Sequence, residues 1–97
     1  MKYFFHPEAE AEHLAEVAFY ESRRKGLGGR YLASFGAAME RVCRDPKQFR
    51  IECEPDLRRI FLRGFPFAII YRDVGRQIQV LAVAHRRRRP GYWATRI

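Results

Sequence analysis

The spacing of apolar residues changes once along this 97-residue chain, and that change constrains the fold more than any other feature. Between residues 7 and 44 apolar residues recur every three or four positions, which is typical of helices with one buried face. From Leu57 onward the period is two, which is typical of strands. The chain therefore has a helical part followed by a strand part, and its length predicts a single domain over residues 1–97.

Two helices are predicted in the first part, after a short aromatic strand at Lys2–Phe5. Pro7 suits the first turn of a helix, and Gly26 is typical of a helix end. The buried stripe of this first helix is predicted to be Ala11, Leu14, Ala15 and Ala18, with Val17 alongside. The second helix is predicted to end before Pro46, and its apolar face comprises Tyr31, Phe35, Ala38, Met39 and Val42. Because the connection is short, we expect an antiparallel helical hairpin.

Three longer strands are predicted at Leu57–Leu62, Phe65–Tyr71 and Gln77–His85. Their short connections favour an antiparallel meander. The last strand becomes apolar on both faces from Val80 to Ala84, which indicates an interior strand covered on both sides. The predicted fold class is α+β, an antiparallel β-sheet packed on an N-terminal α-helical hairpin in the order β-α-α-β-β-β.

Positive charge is concentrated after the first helix. The net charge is +8 overall, but it is −4 over residues 1–21 and +12 over residues 22–97, and 16 of the 19 basic residues are arginine. The guanidinium group grips phosphate or carboxylate groups at two points, so an arginine-rich surface indicates a site for an acidic macromolecule. A solvated charged face is the alternative.

Several classes of protein are disfavoured by composition. The two cysteines, Cys43 and Cys53, have no spacing typical of a disulfide scaffold or a zinc site, and we expect neither a metal nor another cofactor. No apolar run is long enough to span a bilayer, and no signal-peptide core precedes Glu8. The expected location is the cytoplasm.

The candidate site begins where the last strand ends. His85 is followed by the arginine run Arg86–Arg89 and then by Tyr92 and Trp93. These groups suit RNA cleavage by 2′-hydroxyl attack, with His85 or Tyr92 moving protons, and they equally suit binding without cleavage. The alternatives are a His85 hydrogen-bonded to backbone, a Trp93 packed on the sheet and a solvated arginine run.

A second group of arginines comes from the preceding strands: Arg58, Arg59, Arg63 and Arg72. By the period of two, Arg59, Phe61 and Arg63 share one face, and Arg58, Ile60 and Leu62 share the other. We expect arginines from separate strands to meet His85 at one surface of the sheet.

The chain resembles the RelE/ParE superfamily of toxins from bacterial type II toxin–antitoxin systems, in its ParE-like, plasmid-stabilisation branch. The resemblance covers nearly the whole chain and depends on the order and spacing of short segments. These are Phe5–Ala9, Gly26–Gly28 with Arg30–Leu32 and Phe35, Asp45-Pro46, Arg58-Arg59, Phe65–Phe67 with Ile70–Arg72, and Val83–His85 with Arg88, Pro90, Tyr92 and Trp93.

The resemblance implies a growth-arresting toxin held in a hetero-oligomer by its cognate antitoxin, whose acidic or amphipathic C-terminal segment wraps it. ParE-like members are associated with inhibition of DNA gyrase, and RelE-like members cleave mRNA on the ribosome. The lysine cluster of RelE-like nucleases has no counterpart, since the lysines are Lys2, Lys25 and Lys47, and Arg86 follows His85 where another nuclease subgroup has tyrosine. These departures favour the ParE-like activity, with a non-toxic RNA-binding module as a further alternative.

The residues expected to act follow from these alternatives. If the chain is a nuclease, the catalytic set is His85, Arg59, Arg88 and Tyr92. The expected antitoxin- or target-binding residues are Arg58, Arg59, Arg63, Arg72, Arg86, Arg87 and Trp93.

Overall fold

The structure, a computed structural model, describes residues 1–97 and has two helices and five strands. Strand β1 spans Lys2–Phe5, helix α1 Pro7–Arg23 and helix α2 Leu27–Arg44. After a 3₁₀ helix at Pro46–Gln48 come β2 (Ile51–Cys53), β3 (Leu57–Phe61), β4 (Phe67–Asp73) and β5 (Gln77–His85), and a second 3₁₀ helix spans Tyr92–Arg96. The predicted α+β fold with its helical hairpin is confirmed. Neither long helix combines the length and hydrophobicity needed to span a membrane.

The sheet is mixed, with the strand order β1-β5-β4-β3-β2. Strands β3 to β5 form the expected antiparallel meander, β2 extends it by pairing antiparallel with β3, and β5 is an interior strand. Strand β1 instead pairs parallel with β5, with Phe5 opposite Val80. The short strand β2 at the other edge was not predicted, because three residues are too few to show a period.

Each face of the sheet has its own core. The helix-facing core includes Tyr31, Phe35, Met39 and Val42 of α2, as the sequence predicted, against Ile69, Tyr71 and Val80 of the sheet. On the far face, the only tryptophan, Trp93, packs with Leu57, Ile70 and Leu81. The C-terminal 3₁₀ helix therefore covers the far face of the sheet, as α1 and α2 cover the near face.

The predicted buried stripe of α1 is wrong. Ala11, Leu14, Ala15 and Ala18 are exposed, Leu14 by 59%. The face that packs on the sheet carries Ala9 and His13, whose Nδ1 lies 3.1 Å from the buried hydroxyl of Tyr31. The imidazole ring also packs among Phe5 and Phe35. Because His13 is polar, a prediction based on hydrophobicity alone assigned the opposite, exposed face of α1 to the core.

Candidate functional site: an arginine-lined cavity on the far face of the sheet

A cavity of about 360 Å³ lies on the far face, where β3, β4 and β5 meet the C-terminal segment. Small side chains, Ala68 on β4 and Ala84 on β5, lie beside Ile70 and Trp93 and leave this space open. Four arginines line it: Arg59, Arg86, Arg88 and Arg89. Glu52 is the acidic group among the lining residues, so the cavity is strongly electropositive.

Strand β3 places Arg59 and Phe61 on the same face, as the period of two predicts. Arg59 donates to Glu52 Oε1 at 2.9 Å, and its guanidinium lies 4.9 Å from the centroid of the Phe61 ring. The Arg86 guanidinium lies 4.7 Å from the same ring, which is 43% exposed. An accessible phenyl ring is thus flanked by two cations.

The C-terminal part of the cavity is held by Glu12 of α1. Its carboxylate accepts hydrogen bonds from the Tyr92 hydroxyl (2.7 Å) and from Arg96 Nη1 and Nη2 (both 2.9 Å), and Arg88 Nη1 lies 3.4 Å away. Burial by itself raises the pKa of Glu12, but the hydrogen bonds from Arg96, Tyr92 and the Val83 backbone outweigh it and leave that pKa below its usual value. The Glu12 side chain is therefore a partly buried anion, and we name it with Tyr92 and Arg96 the Glu12 clamp.

The Glu12 clamp also fixes the state of Tyr92. Burial, and then donation to Glu12, raise the pKa of the Tyr92 hydroxyl. The Arg88 guanidinium covers the ring at 3.6 Å from its centroid. Tyr92 is thus a protonated phenol that already donates its hydrogen to Glu12. Such a group is unsuitable as a general base.

His85 borders the cavity, but its ring lies on the other side of the sheet. It is the cross-strand partner of Phe67, a member of the helix-facing core, and the two rings meet edge-on at 5.2 Å between centroids. Its Nδ1 accepts a hydrogen bond from the Arg87 backbone N–H at 3.0 Å. The imidazole therefore points away from Arg59 and Phe61.

Arg58 lies on the opposite face from Arg59. Its Nη1 donates to the backbone carbonyls of Phe49 at 2.7 Å and Lys47 at 3.1 Å, so it holds the loop before β2. The Arg58 side chain therefore binds the segment before β2 and does not line the cavity.

The other predicted binding arginines are also dispersed. Arg63 follows β3 and borders a groove along α2, Arg72 donates from Nε to Gln79 at 3.1 Å, and Arg87 is exposed outside the cavity. Of the predicted binding set, the structure brings Arg59, Arg86 and Trp93 together. From the catalytic set, Arg59, Arg88 and Tyr92 line the same cavity.

Sequence reasoning missed four residues of this region: Glu12, Glu52, Phe61 and Arg96. Phe61 had a signal, since the period of two places it beside Arg59. Glu12 had none, because a glutamate early in a helix is accounted for by the helix dipole. Its partner Arg96 is 84 residues away along the chain.

The comparisons with known proteins agree with this fold. A family model described as the ParE toxin of the type II toxin–antitoxin system parDE matches residues 3–90, so Tyr92, Trp93 and Arg96 lie beyond the match. The solved structure "Chromosomal ParDE TA system from P. aeruginosa" is similar in fold, with a TM-score of 0.61 and 21% identity over 88% of this chain and 95% of that chain. No curated protein sequence matched. Because the family model spans nearly all of its sequence, the chain belongs to the ParE toxin family of type II toxin–antitoxin systems.

Proposed function

We propose that this ParE toxin arrests growth by binding DNA gyrase, and that a cognate antitoxin neutralises it in the cytoplasm. The family match over residues 3–90 carries the proposal. The geometry supports binding rather than cleavage, since the His85 ring and the arginine-lined cavity lie on opposite faces of the sheet and the Tyr92 hydroxyl is donated to Glu12. General acid–base catalysis needs such groups within hydrogen-bond reach of the same substrate.

Induced expression without the antitoxin tests the target. In cells, we expect growth arrest with induction of the DNA-damage response. In vitro, we expect the purified toxin to inhibit the supercoiling activity of gyrase. Arrest with undisturbed supercoiling and no DNA-damage response would exclude gyrase as the target.

For the antitoxin, we propose the exposed apolar face of α1 as a contact surface, together with the exposed arginines Arg63 and Arg87. Leu14 is 59% exposed and Phe19 50% exposed. Singly exposed apolar residues are ordinary, but these two border a strip of exposed alanines, Ala11, Ala15 and Ala18, on the solvent side of the helix. An amphipathic segment with acidic residues would match both the apolar face and the net charge of +12 over residues 22–97.

Substitution of α1 tests this contact. Leu14→Glu and Phe19→Glu are expected to weaken binding of the protein encoded beside the toxin gene, measured by calorimetry. Val74→Glu is the matched control, because Val74 is 46% exposed between β4 and β5, away from the helices. Equal affinities for all three variants would place the antitoxin elsewhere.

A ribosome-dependent endoribonuclease is the second candidate, favoured by the meeting of Arg59, Arg88 and Tyr92 at one cavity. It predicts new mRNA 5′ ends after induction that disappear in a variant carrying Arg59→Ala and Arg88→Ala, two residues that line the cavity. Unchanged transcripts would exclude it.

A further inference from the structure

The arginine-lined cavity has the donors, the flat surfaces and the volume of a ligand site. We infer that it binds a nucleoside phosphate, either as a free nucleotide or as one unit of a single strand. This inference goes beyond gyrase inhibition and does not depend on it.

The charge of the cavity favours an anion. Four guanidinium groups and one carboxylate line the cavity, and neither Arg86 nor Arg89 forms a salt bridge. Arg88 is only weakly paired, at 3.4 Å from Glu12. Guanidinium groups bind phosphate oxygens at two points, so Arg86 and Arg89 are placed to take the phosphate without breaking an existing ion pair.

The aromatic surfaces favour a flat group next to that phosphate. The Phe61 ring is 43% exposed between Arg59 and Arg86, and the Arg88 guanidinium already stacks on Tyr92. Nucleobases stack on phenyl rings and on guanidinium planes. A phosphate that draws Arg86 away from the Phe61 ring frees that side of the ring for a base, and the outer face of the Arg88 guanidinium is a second platform in the same cavity.

The size of the cavity distinguishes a nucleotide from an acidic side chain. Its volume of about 360 Å³ lies within the range of roughly 300–1,000 Å³ that is usual for small-molecule sites. An aspartate or glutamate side chain of a protein partner would fill only part of it and leave Phe61 uncovered. Glu52 adds an acceptor for a base amino group, because Arg59 engages its Oε1 alone.

Intrinsic fluorescence provides a specific readout, since Trp93 is the only tryptophan and lines the cavity. The purified toxin is titrated with adenosine 5′-monophosphate, adenosine, inorganic phosphate and a tetraglutamate peptide, with excitation at the red edge of the tryptophan band. We expect a saturable change with the nucleotide and an affinity at least about tenfold above that for each of the other three probes. Equal affinity for the peptide, or no saturable nucleotide binding, would overturn the inference.

Three variants locate the ligand. Arg86→Ala is expected to weaken nucleotide binding by about tenfold, and Phe61→Leu by about fivefold or more. Arg76→Ala is the matched control, because this exposed arginine lies in the turn before β5 and outside the cavity. If Arg76→Ala loses as much nucleotide affinity as Arg86→Ala, the effect depends on overall charge, and the inference of a site is contradicted.

A single-stranded tetranucleotide distinguishes the two sources of the ligand. Binding more than about tenfold tighter than the mononucleotide assigns a strand, and equal binding assigns a free nucleotide. In either case, Arg86→Ala must weaken binding of the tetranucleotide and of the mononucleotide by the same factor. Growth arrest is scored separately, so arrest without nucleotide binding would reject this inference and leave the proposed function intact.

Discussion

Glu12 and Arg96 form a two-point ion pair. The pair lies along the edge of β5, at the residues that β1 is too short to reach. The two oxygen–nitrogen distances are both 2.9 Å, and the Arg96 side chain is 7% exposed. Strand β1 ends opposite Val80, which leaves the next backbone groups of β5 without a strand partner on that side. Arg96 Nη1 donates to the Leu81 carbonyl and Glu12 accepts from the Val83 N–H, each at 2.9 Å, so this pair replaces the missing strand.

Removal of the Glu12 carboxylate is predicted to be strongly destabilising. Glu12→Ala removes the two-point ion pair and the acceptor of the Tyr92 hydroxyl, and leaves Arg96 with the Leu81 carbonyl and the exposed Glu8 carboxylate at 3.6 Å. We expect a loss of about 2–4 kcal/mol in the free energy of unfolding, measured by denaturant titration. Glu40→Ala is the control, because it removes an exposed pair with Arg44 and should cost about 0.5 kcal/mol or less. Similar losses in both variants would contradict the role of the Glu12 clamp.

Burial of His13 predicts a loss of stability in mild acid. Desolvation lowers the pKa of His13 below 6.5, against a smaller opposing effect of Glu10. The unfolded chain therefore takes up a proton near pH 6.5, while the folded chain takes it up only at lower pH. This contribution to stability is present above pH 6.5 and is lost as the pH falls through the folded pKa.

The pH dependence is tested with paired variants. His13→Phe combined with Tyr31→Phe removes the titrating ring and the hydroxyl that would lose its partner. We expect a flatter profile of unfolding free energy between pH 7 and about pH 5 than in Tyr31→Phe alone. Parallel profiles would show that His13 does not control this range.

Close approach of the helices predicts opposite effects for two glycines of α2. A Cβ at Gly28 would lie 2.8 Å from the Val17 carbonyl oxygen of α1, so Gly28→Ala should destabilise by about 1–3 kcal/mol. A Cβ at Gly36 meets nothing within 4 Å, so Gly36→Ala should stabilise by about 0.5–1 kcal/mol through helix propensity. Thermal unfolding of the two variants measures both signs, and a stabilised Gly28→Ala would contradict the close contact.

Neighbouring arginines of β3 are predicted to differ in their contribution to stability. Arg58→Met removes two donations to backbone carbonyls and should cost about 1.5–3 kcal/mol. Arg59→Met removes a partly exposed ion pair with Glu52 and should cost about 1 kcal/mol or less. Denaturant unfolding compares the two, and the reverse order would show that the loop before β2 does not depend on Arg58.

The face of α1 illustrates where sequence reasoning fails. Apolar residues at Ala11, Leu14 and Ala15 have helical spacing, yet they are exposed. The buried face carries His13 instead, because the Tyr31 hydroxyl satisfies its ring nitrogen and three aromatic rings surround it. A polar residue is recognisable as core only when its partner is known.

The sequence by itself determined both helices, the three longer strands, the apolar face of α2, and the family. These properties follow from local patterns, since a period of 3.6 or 2 decides which side chains share a face. Only the tertiary structure decided that β1 pairs with β5, that Arg59 meets Arg86 and Arg88 while the His85 ring turns to the other face, and that Glu12 binds Arg96. Those relationships depend on how distant segments dock and on whether a buried charge finds its partner, and no local pattern encodes either.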